Sequence, residues 1–516
     1  MWRKQFKMLL AACMLFSVSL TVVAEDSIPL RNCRPRLQQK GVPAHAASSY
    51  RVPAVLSSDK QIARRAESEN RWTGDRRQLV ILVNFADKTF KDDKEQTLEL
   101  WGKIFNAKNF QEEPFCGSVH DYFYDQSYGQ LRLVFDLHYT TLSDNMEKYR
   151  STSSDDENSK YMVQEVVESL RNEVDDWGPY DWDDDGYVDQ LLIIYAGKGQ
   201  NAGGGRYTIW PHQWWLSKHD NCEAITVTNS DGTDYIVDCY CCVQELFSDN
   251  GYGVFGTICH EYSHCFGFPD FYDGNKKYVE SWDLMDYGNY NGNGFRPCGY
   301  SAFERTYMGW MTPEELTEET TVTDMSALSD ESQAYLIRND GHTDEYYIVE
   351  NRQQKGWDAD LPGSGIIIFH VDYDEDVFIN GIPNSSSLAR YTIFPANNRT
   401  SAIPLYARGW AYPYNDNNLL TNTSTPASTL NNVNTDGTFF MSKPLTEMAV
   451  DGGLASFCFL DSTDGIDEIS SASRSKGEGR TYYDLSGRYV GNESSHLPRG
   501  IYVAKDAEKV TKIVKR

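Results

Sequence analysis

The chain has 516 residues, too many for one ordinary domain, so roughly two to four folded units are expected. A formal net charge of −27 excludes nucleic acid as a natural partner, because phosphate contact requires a basic surface. Hydrophobic residues at 40% and aromatics at 13% supply packed cores, and the 33 tyrosines suit β-structure.

At the N-terminus Arg3, Lys4 and Lys7 precede an uncharged stretch from Met8 to Ala24, ending in Val22-Val23-Ala24. This pattern reads as a signal peptide over residues 1–24. Cys13 sits inside the apolar run rather than at its end, which argues against lipidation. No later stretch approaches ~18 uninterrupted apolar residues, so no membrane span is expected in the mature chain. The expected location is secreted or cell surface. Export permits disulfides, but spacing alone does not give the pairing of the ten cysteines beyond the leader. Residues 25–77 carry Pro29, Pro35, Pro43 and Pro53, little apolar periodicity, and the pairs Arg64-Arg65 and Arg76-Arg77. Proline fixes φ and removes donors, so this segment reads as a removable propeptide lying along a surface. Cys33 within it is a candidate blocking thiolate.

The apolar run Leu79–Val83 predicts a buried strand over Gln78–Phe85. Helical spacing follows at Leu98, Trp101, Ile104 and Phe105, and again over Ser118–Tyr128. Leu131, Leu133, Phe135 and Leu137 alternate as in a strand. A helix from Ser159 to Val174 and a buried strand over Gln190–Ala196 complete the pattern. Residues 78–315 therefore read as an α/β or α+β catalytic unit. Short strands at Ala334–Ile337, Glu345–Asn351, Gly365–Val371 and Ala455–Leu460, separated by Gly, Asn and Asp turns, predict a β-rich, sandwich-like module over 316–462. Ser470–Gly479 has linker composition, and residues 463–516 form a small β C-terminal domain. The expected class is α+β.

The informative run is Gly256-Thr-Ile-Cys-His260-Glu261-Tyr-Ser-His264-Cys-Phe-Gly267-Phe-Pro269-Asp270. On a helix His260 and His264 stand one turn apart on the same face, where two imidazoles can hold one zinc ion. Glu261 is placed to take a proton from zinc-activated water. Gly256, one turn earlier, leaves room above the metal. Gly267 permits the positive φ that stops the helix, and Asp270 arrives as the third ligand. Glu280 is a rival third ligand at a longer spacing. Further on, Ser281-Trp282-Asp283-Leu284-Met285-Asp286-Tyr287-Gly288 resembles the methionine turn beneath the metal of metzincins. Tyr287 is a candidate catalytic residue there, as a ligand or oxyanion donor. Among the other histidines, His212 in Trp210-Pro211-His212 is the candidate cleft residue.

Asp181, Asp183, Asp185 and Asp189 occupy positions 1, 3, 5 and 9 of an EF-hand-like loop, with Gly186 at position 6. Position 12 is Leu192, so the loop is not a complete EF-hand. Five carboxylates in nine residues repel unless solvated or neutralised, and Ca²⁺ suits hard oxygen ligands best.

From Gln78 to Asp372 the chain resembles the immune inhibitor A family of secreted metallopeptidases. The resemblance rests on Leu79–Asp87, Gly117-Ser118-Val119, Tyr122-Phe123, Ser127-Tyr128-Gly129, His260–Asp273, Trp282–Met285, Tyr347–Arg352, Leu361-Pro362-Gly363 and His370-Val371-Asp372. It implies a metzincin-like fold and extracellular endopeptidase activity on protein or peptide substrates. The segment from Gly465 to Arg516 is similar to type IX secretion sorting modules, through Tyr483–Arg488 and Gly500–Val503, which implies secretion machinery as a partner. An alternative from another class is a carbohydrate- or surface-binding protein with a vestigial peptidase domain. Intact Glu261 and a full ligand set argue against it.

Overall fold

Leu79, Val80, Ile81, Leu82 and Val83 are all fully buried, which a strand covered on both faces requires. In the computed structural model of this chain they lie within β1 (Gly74–Asn84), an interior strand of a five-stranded sheet. The structure describes residues 72–461, apart from 153–155, 249–250, 275, 382, 385–386 and 401–403, and four later strands within 481–515. The expected leader, most of the expected propeptide with Cys33 and Arg64-Arg65, and Asp484–Arg488 lie outside the described residues.

β1 pairs in parallel with β2 (Leu131–Thr141) and with β4 (Leu191–Lys198). β4 pairs in parallel with β8 (Cys239–Leu246), and β5 (His212–Trp215) closes the sheet as an antiparallel edge. A small sheet of β3 (Tyr187–Val188), β6 (Ile225–Thr228) and β7 (Asp234–Val237) stands beside it. Helix α1 (Lys94–Asn106) starts at Asp93, whose side chain accepts from the Gln96 amide, and buries Trp101, Ile104 and Phe105. Helix α2 (Val119–Gln126) is opened by a capping box between Ser118 and Asp121. Helix α3 (Ser159–Leu170) stops short of Val174 and turns its Met162, Val163, Val166 and Val167 inward. Helix α4 (Phe255–Cys265) carries the histidine pair.

Two boundaries differ from the sequence reading. First, β1 begins at Gly74, not Gln78, and Gly74 to Arg77 pair with Leu131 to Val134. Their Gly-Asp-Arg-Arg composition hides them, because this end of β1 is half exposed and held by ion pairs. Arg77 reaches Asp136 at 2.6 and 2.8 Å, and Arg132 reaches Asp75 at 2.6 Å. Trp72 is buried as well. Its ring packs edge-on against Phe266 and Trp182, and its carbonyl accepts from the Trp310 indole at 2.9 Å. Arg76-Arg77 thus lies inside a paired strand and makes a poor processing site.

Second, nothing separates the chain at 315/316. β9 (Glu314–Glu315), β11 (Tyr335–Asn339), β12 (His342–Arg352), β13 (Gly365–Asp372) and β14 (Tyr391–Ile393) form one sheet in the order β14-β13-β12-β11-β9. Side chains alternate across a strand, and here both faces are apolar. Tyr346, Ile348, Ile367 and Phe369 join the core built around β1. Tyr347, Val349, Ile366 and Ile368 share a second core with a three-stranded sheet of β10 (Thr320–Met325), β15 (Leu445–Asp451) and β16 (Leu454–Phe459). The described residues from Trp72 to Asp461 form one compact unit, and the four later strands belong to another. The second unit holds an antiparallel sheet of β17 (Thr481–Tyr483), β18 (Tyr489–Gly491), β19 (Gly500–Lys505) and β20 (Val510–Lys515), with Tyr482 and Tyr502 buried. Among the described residues no helix is long and apolar enough to cross a membrane, and nine cysteines are free thiols.

The packing of Trp72 makes a test. Trp72→Ala should lower unfolding free energy by about 3–5 kcal/mol. A chain beginning at Gln78 should melt well below one beginning at Ala66, because it loses Trp72 and four register pairs of β1. Equal denaturation midpoints for the two chains would show that the domain does begin at Gln78.

Candidate metal centre

Helix α4 separates two stripes. Phe255, Ile258, Cys259 and Tyr262 are fully buried in the core, while His260 and His264 share another face with their ring centroids 4.8 Å apart. The helix ends where the sequence provides for it: Gly267 has φ +100°, a conformation that strains any L side chain. The Gly267 amide donates to the His264 carbonyl at 2.9 Å. This turn does two things at once. It sends Asp270 back toward the histidines, and it places the Phe268 carbonyl 2.7 Å from His264 Nδ1. His260 Nδ1 lies 2.8 Å from the Leu284 carbonyl.

A carbonyl only accepts, so each Nδ1 carries a proton and each Nε2 is the nitrogen left for a ligand. Both Nε2 atoms face one oxygen, Asp270 Oδ1, at 3.2 Å from His260 and 3.4 Å from His264. That oxygen is buried and accepts no hydrogen bond. Burial pushes the Asp270 carboxyl up, but His264 and His260 outweigh it and hold it well below the usual range. Three electron-pair donors meeting at one point demand positive charge among them. A proton serves one pair, whereas a metal ion serves all three. Tetrahedral ligand atoms at zinc bond lengths of roughly 2.0–2.1 Å stand about 3.4 Å from one another, and two nitrogens with one oxygen form a suitable donor set. The residues present therefore fit a zinc ion.

Glu261 also brings a carboxylate oxygen within 4.8 Å of the imidazole nitrogens. Burial pushes its carboxyl up to about 8, with His260 opposing and Asp270 adding to the shift. His260 and Glu261 open onto a cavity whose walls include Asn201, Trp210, Thr257, Lys277, Tyr287 and Tyr290. Asn201 and Thr257 have buried polar atoms without hydrogen-bond partners, which makes the cavity floor polar. Neither Asn201 nor Lys277 belongs to a spacing pattern, so sequence reasoning missed both.

Glu280 stands elsewhere. It is fully buried at φ +53°, accepts from the Ser281 amide, and lies 3.9 Å from the Lys277 ammonium. Asp270, not Glu280, faces the imidazoles. Tyr287 borders the cavity with the Lys277 ammonium over its ring and Tyr290 beside it. Met285 is fully buried in the turn below. Gly256 does not leave space above the metal: a Cβ there would stand 1.8 Å from the Asn289 carbonyl oxygen, so this glycine lets the segment Gly288–Gly294 press against the helix. His212 turns away from the cleft, toward the Tyr240 and Ser159 hydroxyls at 3.1 and 3.2 Å.

In the acidic loop, carboxylates of Asp181, Asp183 and Asp189 come within 4.8 Å of one another. Asp181 accepts from the Asp185 and Gly186 amides, which closes the loop just before β4. Asp185 instead accepts from the Tyr187 amide at 2.8 Å and is not part of that trio.

Comparison with known proteins covers the same region of the chain. Residues 65–312 match the family described as immune inhibitor A peptidase M6, catalytic domain. Immune inhibitor A of Bacillus thuringiensis subsp. alesti is 26% identical over 291 residues, which cover 47% of this chain and 41% of that protein. Pre-pro-metalloprotease PrtV of Vibrio cholerae serotype O1 is 24% identical over 294 residues, covering 46% and 31%. The chain thus spans less than half the length of these curated relatives. Residues 65–312 of this chain are thus similar to the catalytic domain of the immune inhibitor A family of metallopeptidases.

Proposed function

We propose that this chain is a secreted or cell-surface zinc endopeptidase that hydrolyses peptide bonds of extracellular proteins. The observation that carries the reading is the approach of His260 Nε2 and His264 Nε2 to one oxygen, Asp270 Oδ1, at 3.2 and 3.4 Å, beside the buried carboxylate of Glu261. These three residues would hold the metal. Zinc in this place would polarise the scissile carbonyl and lower the pKa of a water from 15.7 to about 7.

The chain's own residues supply the rest. A carboxylate kept from solvent is a stronger base than an exposed one, so Glu261 takes the proton of the attacking water and returns it to the leaving amine. Tyr287, on the cavity wall, is the candidate donor to the developing oxyanion. β5 is the terminal strand of its sheet, and Trp210 and Pro211 just before it line the cavity. An extended polypeptide can align along such an edge, which suits an endopeptidase better than an amidase of small molecules. The central sheet, helix α4 and the turn around Met285 support a metzincin-like arrangement, and the two facing sheets beyond residue 315 support a sandwich-like one.

Asp181, Asp183 and Asp189 would hold Ca²⁺ and thereby fix the loop that enters β4. A removable segment before Trp72 and a sorting role for residues 463–516 complete the proposal.

Glu261→Ala should retain stoichiometric zinc and the fold while losing ~10²–10⁴-fold in turnover. Near wild-type caseinolysis by the zinc-loaded variant would remove Glu261 as the base. Asp270→Ala should lose zinc during dialysis against a mild chelator, whereas Glu280→Gln should keep it. The reverse pattern would transfer the third ligand to Glu280. Calcium at one hundred times its Kd should stabilise the wild type by about 2.7 kcal/mol, and Asp181→Ala should abolish that gain. A melting temperature indifferent to calcium would leave only a solvated acidic turn.

A further inference from the structure

Two short segments complete the metal centre from outside helix α4. One contains Leu284, whose carbonyl orients His260; the other contains Asp270. Both are fastened to strand β14, which lies beyond the matched catalytic region.

Asp283, the residue before Leu284, is fully buried and organises its turn. Its Oδ1 accepts from the Met285 amide at 2.8 Å, and its carbonyl accepts from the Gly288 amide at 2.8 Å. Its Oδ2 accepts from the Tyr391 hydroxyl at 2.9 Å. The other face of Asp270's segment meets the same tyrosine. Phe271 stacks on the Tyr391 ring with centroids 3.9 Å apart and planes 25° apart. Phe271 also donates its amide to the Met285 carbonyl at 2.9 Å, which ties the two segments together. Its carbonyl accepts from Asn384 Nδ2 at 2.8 Å. Asn384 in turn holds the Tyr391 backbone, accepting from its amide at 2.9 Å and donating to its carbonyl at 2.7 Å.

We propose that Tyr391 is a positioning residue of the metal centre: its hydroxyl sets the turn that orients His260, and its ring sets the segment that presents Asp270. The proposal rests on the His260, His264 and Asp270 centre argued above. Groups that orient metal ligands typically contribute 10–100-fold to metal affinity. Tyr391→Phe removes the hydroxyl, with its bond to Asp283 and its 2.9 Å contact with the Ser301 hydroxyl, but keeps the stacked ring, so it tests the hydroxyl apart from the ring.

The full-length chain should be compared as wild type, Tyr391→Phe and Tyr347→Phe. Tyr347 is a fitting control, because its hydroxyl donates to the Thr429 carbonyl at 2.9 Å in the second core, on the far face of the sheet. Zinc affinity is read by chelator competition, and kcat and KM on a peptide substrate under zinc saturation. Tyr391→Phe should bind zinc at least ~10-fold more weakly and lose kcat with KM nearly unchanged. Tyr347→Phe should match the wild type in affinity even where its melting temperature falls. Wild-type affinity in Tyr391→Phe, or equal losses in both variants, would overturn the proposal. A wild-type chain that takes up no stoichiometric zinc would overturn the metal centre itself, and the positioning role with it.

Discussion

Two imidazole nitrogens held within 3.4 Å of one carboxylate oxygen repel it unless positive charge lies between them. Much of the surrounding structure serves to hold that unfavourable arrangement in place. The helix contributes the pair of histidines through its i, i+4 geometry, a purely local effect. The third group is not local. It depends on Gly267 adopting φ +100° and on a chain reversal whose carbonyl at Phe268 also fixes the His264 ring. One glycine therefore sets both a ligand and the tautomer of its neighbour. A side chain at this position would strain the backbone and disturb both groups.

The next layer is unusually acidic for a protein interior. Asp283, Asp286, Glu304, Glu350 and Asp358 are all buried within the same region. Burial pushes Asp283 up to about 6 and Asp286 up to about 7. Backbone amides offset part of this cost: Asp286 accepts from three of them, at Tyr278, Val279 and Glu280. Arg352 offsets more, donating to Asp358 and Glu350 and to the carbonyls of Trp282 and Gly299. These acids do not face the cavity as a set. Asp283 and Asp286 fold the segment from Tyr278 to Gly288, while Asp358, Glu304 and Glu350 hold the amides of Gly299, Ser301 and Ala302, since a carboxylate can gather backbone amides where an apolar side chain cannot.

How much of this was legible in the sequence depends on how local each feature is. The apolar run Leu79–Val83 and the spacing of His260, Glu261 and His264 stand in a local period, and the structure puts them on the strand and helix those periods imply. Asp270 was legible because Gly267 announced a reversal of the chain. The start of β1 was hidden, because strand pairing by Gly74–Arg77 depends on partners at Leu131–Val134 rather than on apolar side chains. The continuous packing across residue 315 was hidden for a related reason. Alternation in β12 and β13 shows that both faces are apolar, but not which neighbour covers each face. Gly256 and His212 were misread because a residue's partner, here Asn289 or Tyr240, cannot be seen from spacing. Asn384 and Tyr391 lie more than a hundred residues from the turn and segment they hold, or nearly so, and no period connects them.

These long-range contacts change what the β-rich region is for. Strand β12 supplies Arg352, which donates to the Trp282 carbonyl just before the turn, and strand β14 supplies Tyr391, which donates to Asp283 within it. The turn is thus gripped by two strands of one sheet, and that sheet is itself locked by apolar packing on both faces. A loop held only by its own hydrogen bonds would open locally at little cost, whereas one tied to a doubly packed sheet opens only when the sheet does. Metal ligands need such stiffness, because misplacement by a fraction of a bond length weakens coordination. The sheet beyond residue 315 therefore belongs physically to the metal centre, even though the pattern of the sequence sets it apart as a module of its own.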